Sequence, residues 1–274
     1  MYAYNFEYDG KLLSDYGFIV CHFDDSGGLN TSEAGSEINF EMASAHSGKR
    51  NYVVGTEYTG CLSTKFQICK EPGSHTDEEM FITADEFRHL SRWLNRREYL
   101  WFHAFDWCDP EMQRPWVRAT FKLSRIDIGD ETVGVELEMT TDSPFGYGDE
   151  IIKELVFENG DLTKTIEDIS DEIGDIYPTL TVVCGDDGKL TLTDDITGCS
   201  CEVENCHDGE ELYFSGDSMV ITTDHLTHKN TLANDFNYDF FRIGNTMDTR
   251  LNTITASMPC TIELRYRPIR KDTI

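Results

Sequence analysis

Val117-Arg118-Ala119-Thr120-Phe121-Lys122-Leu123-Ser124 alternates apolar and polar residues one by one. After Gly129-Asp130 the alternation returns as Thr132-Val133-Gly134-Val135-Glu136-Leu137-Glu138-Met139. A period of two sends successive side chains to opposite faces of a strand, so each run has one buried face and one wet face. Ile126 and Ile128 prolong the first run, and the short glycine-containing turn between the runs predicts an antiparallel hairpin. The pattern stops at Thr140-Thr141-Asp142-Ser143-Pro144-Phe145-Gly146-Tyr147-Gly148. That turn-rich segment is where a sheet ends, and it places a domain boundary near residue 148.

Working upstream, Thr83-Ala84-Asp85-Glu86 has the form of a capping box, and Phe87, Leu90, Trp93 and Leu94 follow on one helical face. Arg88, Arg92, Arg96 and Arg97 are read as loading the last turns, where the helix dipole favours cations. This amphipathic helix is expected to pack on the sheet. Nearer the start, short strands are expected at 16–23, 51–57 and 61–69, with the polar stretch 24–37 as a long loop.

Downstream, 149–175 reads as a polar, acidic connector with some helix or strand character. Hairpin signals then recur: Leu180, Val182 and Cys184, a turn at Gly185-Asp186-Asp187-Gly188, and a return through Leu190 and Leu192. Leu212 and Phe214 lead through Ser215-Gly216-Asp217 to Met219 and Ile221, and Ile262, Leu264 and Tyr266 form a last strand. The expected architecture is mainly β with one amphipathic helix, divided into domains 1–148 and 149–274, the second a β-sandwich.

The 274 residues carry 51 acidic and 23 basic side chains, a net charge of −28. The excess is even: 13 − 27 = −14 over residues 1–150 and 10 − 24 = −14 over 151–274, so charge marks no boundary. With 12% aromatic residues the chain has material for a core and is not a disordered acidic segment. Such a charge repels phosphate backbones and anionic lipid, which sets aside unspecific nucleic-acid binding and membrane attachment. No apolar run approaches a membrane span, and the first ten residues lack a secretory pattern, so cytoplasmic synthesis is expected. Nine scattered cysteines, an odd number, do not suggest a disulfide framework.

Several constellations invite a chemical reading. Asp25-Ser26-Gly27-Gly28 has the look of a serine-protease nucleophile segment, but in that fold the serine comes late, after the histidine and the aspartate, and here only 25 residues precede it; a solvated loop is the plainer reading. Cys199, Cys201, Cys206 and His207 offer four soft ligands for zinc, though Cys-x-Cys is tight for a knuckle; strand and turn cysteines are the alternative. Glu86 and His89 have ligand spacing on one helical face without a second copy, and His225 and His228 are a lone pair. Asp106 and Asp109 are two carboxylates whose separation sequence does not set. No Walker loop, dinucleotide fingerprint or nucleophile elbow is present. No catalytic, cofactor-binding or metal residue is therefore assigned, and no cofactor is expected.

The chain as a whole resembles the distal tail proteins of long-tailed siphophages. The resemblance rests on Phe6-Glu7-Tyr8-Asp9-Gly10 with Leu13-Ser14-Asp15-Tyr16-Gly17-Phe18-Ile19-Val20, the helix around Leu90-Ser91-Arg92-Trp93-Leu94, the hairpin 117–139, and Asp142-Ser143-Pro144-Phe145-Gly146-Tyr147. Gly209-Glu210-Glu211-Leu212-Tyr213-Phe214-Ser215-Gly216, Phe241-Arg242-Ile243-Gly244-Asn245 and Arg265-Tyr266-Arg267 extend it to the end. Each motif is weak alone; their order and spacing carry the match. The cysteine cluster and His22 belong to no family pattern.

The resemblance implies an N-terminal split-barrel or sandwich domain closing into a homo-hexameric ring, and a C-terminal galectin-like sandwich projecting outward. It implies a virion protein joining the tail tube to the baseplate or tail tip. Its partners would be the major tail protein, the tail-associated hub or lysin protein and the tape measure protein. The loop 24–37 and the segment 38–60 are candidate inter-subunit arms. A ring of six copies would carry 6 × −28 = −168 around the DNA exit path, so an acidic channel is expected, with the scarce Arg88, Arg92, Arg96 and Arg97 at subunit interfaces. An alternative of a different class is a carbohydrate-binding module for host cell-wall saccharide, with Tyr213, Tyr238 and Trp107 as stacking candidates.

Overall fold

The computed structural model describes residues 3–23, 37–44, 48, 50–58, 60–106 and 114–271. The chain is mainly β and divides into two compact units, Met1–Gly148 with Arg270–Ile274, and Asp149–Ile269. The last five residues are thus grouped with the first unit.

The first unit is built on a seven-stranded antiparallel sheet, in the order Lys11–Leu12, Ala3–Tyr8, Leu100–Asp106, Val117–Ile128, Glu131–Thr141, Ser63–Lys70, Phe18–Cys21. Its two outermost strands are nearly consecutive in the chain, joined by the 3-10 turn Leu13–Tyr16 and by Gly17, whose φ of 75° needs a glycine. Six residues from Leu12 to Phe18 reach at most about 22 Å. A flat seven-stranded sheet would be about 29 Å wide. The sheet must therefore curl on itself, and the result is a split barrel.

The expected hairpin is its middle: Val117–Ile128 pairs with Glu131–Thr141, and Val117, Ala119, Phe121, Val135, Leu137 and Met139 point into the core. The helix, α1, spans Ala84–Leu94. Its Thr83 hydroxyl accepts from the Glu86 N–H, while the Glu86 carboxylate accepts from the Thr83 N–H at 2.7 Å. Leu90, Trp93 and Leu94 are buried, and the Trp93 indole stacks on Tyr16 and donates to the Tyr8 carbonyl at 3.0 Å. The helix ends one turn earlier than the arginines suggested. Asn95 closes it, so Arg96 and Arg97 lie beyond it; Asn95 Nδ2 donates to the Phe121 carbonyl and Thr120 Oγ1 to the Arg96 carbonyl, tying this exit to the sheet.

The second unit is a sandwich. One sheet runs Ile151–Phe157, Cys260–Tyr266, Thr179–Cys184, Glu211–Ser215, Val220–Thr223; the other runs Thr163–Glu167, Leu251–Ala256, Gly188–Asp194, Ser200–Cys206. Leu155, Val182, Leu212 and Ile262 from the first sheet meet Leu190, Leu192, Val203 and Ile254 from the second in one core.

One expectation is sharpened and one corrected here. The structure in the 149–175 connector is strand rather than helix, Ile151–Phe157 and Thr163–Glu167; the first is an edge strand with only Leu155 and Phe157 buried, which leaves its sequence polar and its alternation faint. Residues 179–194 are not a hairpin: Thr179–Cys184 pairs with Glu211–Ser215 and Cys260–Tyr266, and Gly188–Asp194 belongs to the opposite sheet. Alternation reports which face is buried, and both strands bury theirs in the same core from opposite sides. The turn through Ser215-Gly216-Asp217 does join paired strands, as Leu212 faces Thr223 and Phe214 faces Ile221.

Candidate functional site

The most unusual surface lies within the segment 38–60. Ile38–Ser44 and Asn51–Tyr58 form a two-stranded antiparallel hairpin, and among the described residues neither strand pairs with a third. Register places Ile38 opposite Tyr58, Phe40 opposite Thr56 and Met42 opposite Val53, so these share one face. Asn39, Glu41 and Glu57 occupy the other, where Asn39 Nδ2 donates to Glu57 Oε1 at 3.2 Å. Val54 is the extra residue of a β-bulge, which adds twist to the pair. The hairpin is amphipathic, yet its apolar face is bare: Phe40 is 52% exposed, Met42 56% and Val53 53%. The Tyr58 ring meets Phe145 edge-on at 4.6 Å, which fixes the root of the hairpin to the first unit. An isolated two-stranded hairpin is marginal in water, so an apolar face of this kind calls for a partner surface.

The chemical candidates fare differently. Residues 24–36, including Asp25-Ser26-Gly27-Gly28, and Trp107 to Asp109 lie outside the described residues, so the protease-like segment, the carboxylate pair and Trp107 have no structural reading. Glu86 is committed to capping α1 and to Lys70, 2.8 Å away, while His89 stands exposed on the helix. His22 lies exposed just past the strand Phe18–Cys21, which is shorter than the span 16–23. Tyr213 is exposed on its strand; Tyr238 leans on Phe236, and its hydroxyl donates to the Ala233 carbonyl.

The cysteine cluster does not assemble as a ligand set. Cys199 and Cys201 do share the buried face, but the Cys199 thiol donates to the Arg242 carbonyl, and burial pushes Cys201 up to about 12. Cys206 turns toward Cys184 instead, whose thiol is pushed up by that contact and by burial. All eight cysteines among the described residues are free thiols.

His207 leaves the cysteines for a different group. Its ring stacks on His225 with centroids 3.9 Å apart, and its Nδ1 lies 3.4 Å from Glu210 Oε2. Glu210 is only 3% exposed, and its other oxygen is 2.6 Å from His228 Nδ1. Ligand atoms of His207, Glu210 and His228 all fall within 4.8 Å of one another. Sequence reading paired His228 with its neighbour His225; the hairpin Glu211–Ser215 to Val220–Thr223 folds it back onto the 207–210 turn instead.

A split barrel and a sandwich in one chain, with an amphipathic hairpin exposed on the barrel unit, define a two-domain β protein. The chain belongs to a family of phage tail proteins: residues 1–143 match the phage tail protein N-terminal domain and residues 145–266 the phage tail C-terminal domain. No curated protein sequence matches the chain. Among solved structures it is similar to the Dit protein (gp 19.1) of SPP1, described as a paradigm of the hub adsorption apparatus in phages infecting Gram-positive bacteria. That similarity has a TM-score of 0.62 and 13% identity, and covers 96% of this chain and 98% of the other. At that identity the likeness is one of fold, and it spans both units.

Proposed function

We propose that the protein is a structural, non-catalytic distal tail protein, six copies of which close into a ring joining the tail tube to the baseplate or tail tip. The observation that carries this reading is the bare amphipathic hairpin Ile38–Ser44 and Asn51–Tyr58, which we assign as the arm each copy lays on its neighbour. Covering the exposed halves of Ile38, Phe40, Met42 and Val53 is worth on the order of 4 kcal/mol per contact. Association itself costs at least as much, so the closure of the ring and the further contacts of each interface must add to this gain. The free edges of the hairpin offer backbone donors and acceptors to the same neighbour.

The major tail protein, the hub or lysin protein and the tape measure protein are the partners that fit this place in the tail. Arg88, Arg92 and Arg97 are exposed and supply the positive charge with which one copy meets the acidic surface of the next. The net charge of −28 per chain makes the ring's channel acidic, so passing DNA is repelled and does not stick. Native mass spectrometry and electron microscopy of the purified chain, alone and with its hub partner, test the reading. Six-fold rings are expected. A chain that stays monomeric at every concentration and in the presence of hub and tube proteins overturns it.

A further inference from the structure

We propose that His207, Glu210 and His228 bind a divalent transition-metal ion, with zinc the ion their donor set fits best, independently of how the chains assemble. Two imidazoles and one carboxylate with a solvent-facing side form a three-ligand site that leaves a fourth position for water. Zinc bonds of 2.0–2.1 Å set tetrahedral ligand atoms about 3.3 Å apart. His207 Nδ1 stands 3.4 Å from Glu210 Oε2 and His228 Nδ1 2.6 Å from Glu210 Oε1, so the carboxylate faces both rings, and one ligand atom from each of the three residues lies within 4.8 Å of the others.

The second observation is independent of that spacing. His228 Nε2 and Asp235 Oδ2 are both buried, both lack a hydrogen-bond partner, and face each other at 3.6 Å. Glu210 also accepts from the Thr223 hydroxyl and the His207 backbone N–H, which fix the carboxylate between the two rings. A metal held through His228 Nδ1 leaves the ring's N–H on Nε2, where it would donate to Asp235, giving the carboxylate–histidine–metal arrangement that orients imidazole ligands.

The ion would pin the turn at 207–210 to the 3-10 turn His228–Asn230, across the hairpin that separates them. The test is calorimetric titration of the full chain with zinc chloride, paired with thermal melts with and without chelator. One zinc per chain is expected, with a melting temperature that rises on loading and falls back with chelator. His207 lies at the surface, so His207→Ala leaves the fold intact and should weaken binding at least tenfold. Asp235→Asn should weaken it 10- to 100-fold, because the amide so introduced donates to Nε2 and holds the proton on Nδ1. Imidazole 15N spectra should show His228 protonated on Nε2 alone in the loaded protein. Absence of stoichiometric zinc, or affinity unchanged in His207→Ala, would overturn the proposal.

Discussion

Lys70 Nζ lies 2.8 Å from Glu86 Oε1 and donates at 2.9 Å to the Glu79 carbonyl, so the last residue of a barrel strand is locked to the first turn of α1. Lys70 is almost wholly buried, and Glu86 both neutralises it and caps the helix. Glu86→Gln should destabilise the first unit by about 2–3 kcal/mol in urea unfolding, since it strands a buried ammonium. Lys70→Met, which removes the buried charge itself, should cost less. Partial burial works against ionisation of Glu86, but the hydrogen bonds from Lys70 and Thr83 prevail and hold its carboxyl below the ordinary range. A depressed carboxyl contributes stability above its unfolded value, about 4.3, and loses it as pH falls through the folded one. The penalty of Glu86→Gln should therefore be full between pH 5 and 8, and shrink in stronger acid.

Phe40→Asp combined with Val53→Asp puts two charges on the bare face of the hairpin. Both side chains are half exposed, so the melting temperature of the single chain should move by no more than about 2 °C. Ring assembly, read by light scattering, should be abolished. Rings that persist in the double variant would exclude this face from the interface.

Gly216 stands where no side chain fits: a Cβ there would lie 1.9 Å from the Tyr177 carbonyl oxygen and 2.8 Å from that of Pro178. Both are backbone atoms and do not swing aside. Gly216→Ala should destabilise the second unit by about 3 kcal/mol, whereas Gly73→Ala, which meets open space, should stay within about 0.5 kcal/mol. Chemical denaturation of the two variants side by side checks the contrast.

Burial pushes the Cys201 and Cys260 thiols up to about 12. At pH 8 only about one such thiol in ten thousand is the reactive thiolate. Iodoacetamide on the folded protein, followed by peptide mass spectrometry, should label exposed Cys61 and leave Cys201 and Cys260 untouched until denaturant is added.

Features carried by neighbours in sequence were legible. The 117–139 hairpin and the Thr83–Glu86 capping box depend on residues within a few positions of one another, and both stand as read. What failed depended on distant pairing. Leu180 and Leu190 alternate alike, yet nothing local says that the first pairs with Phe214 and Leu264 and the second with Val203. The site shows the same effect. His207 was grouped with the cysteines beside it and His228 with His225, because the hairpin that closes an 18-residue gap between Glu210 and His228 is a tertiary fact. The segment 38–60 was named as an arm without its amphipathic face, since the polar residues and the bulge at Val54 blur the alternation.

The order of pairing also sets a timetable for synthesis. Ala3–Tyr8 finds its main partner in Leu100–Asp106, roughly a hundred residues later, and Ile151–Phe157 has, among the described residues, its only strand partner in Cys260–Tyr266, near the end of the chain. Neither the barrel nor the sandwich can close on a ribosome until most of its own length has emerged, and pairing across such separations is slow. The hairpin Ile38–Ser44 with Asn51–Tyr58 needs no distant partner and is only marginally stable alone, so its apolar residues are exposed long before the fold that carries them is complete. Nascent chains crowded on one message would meet through that surface first. The acidic excess, equal in the two halves of the chain, opposes such encounters by repulsion.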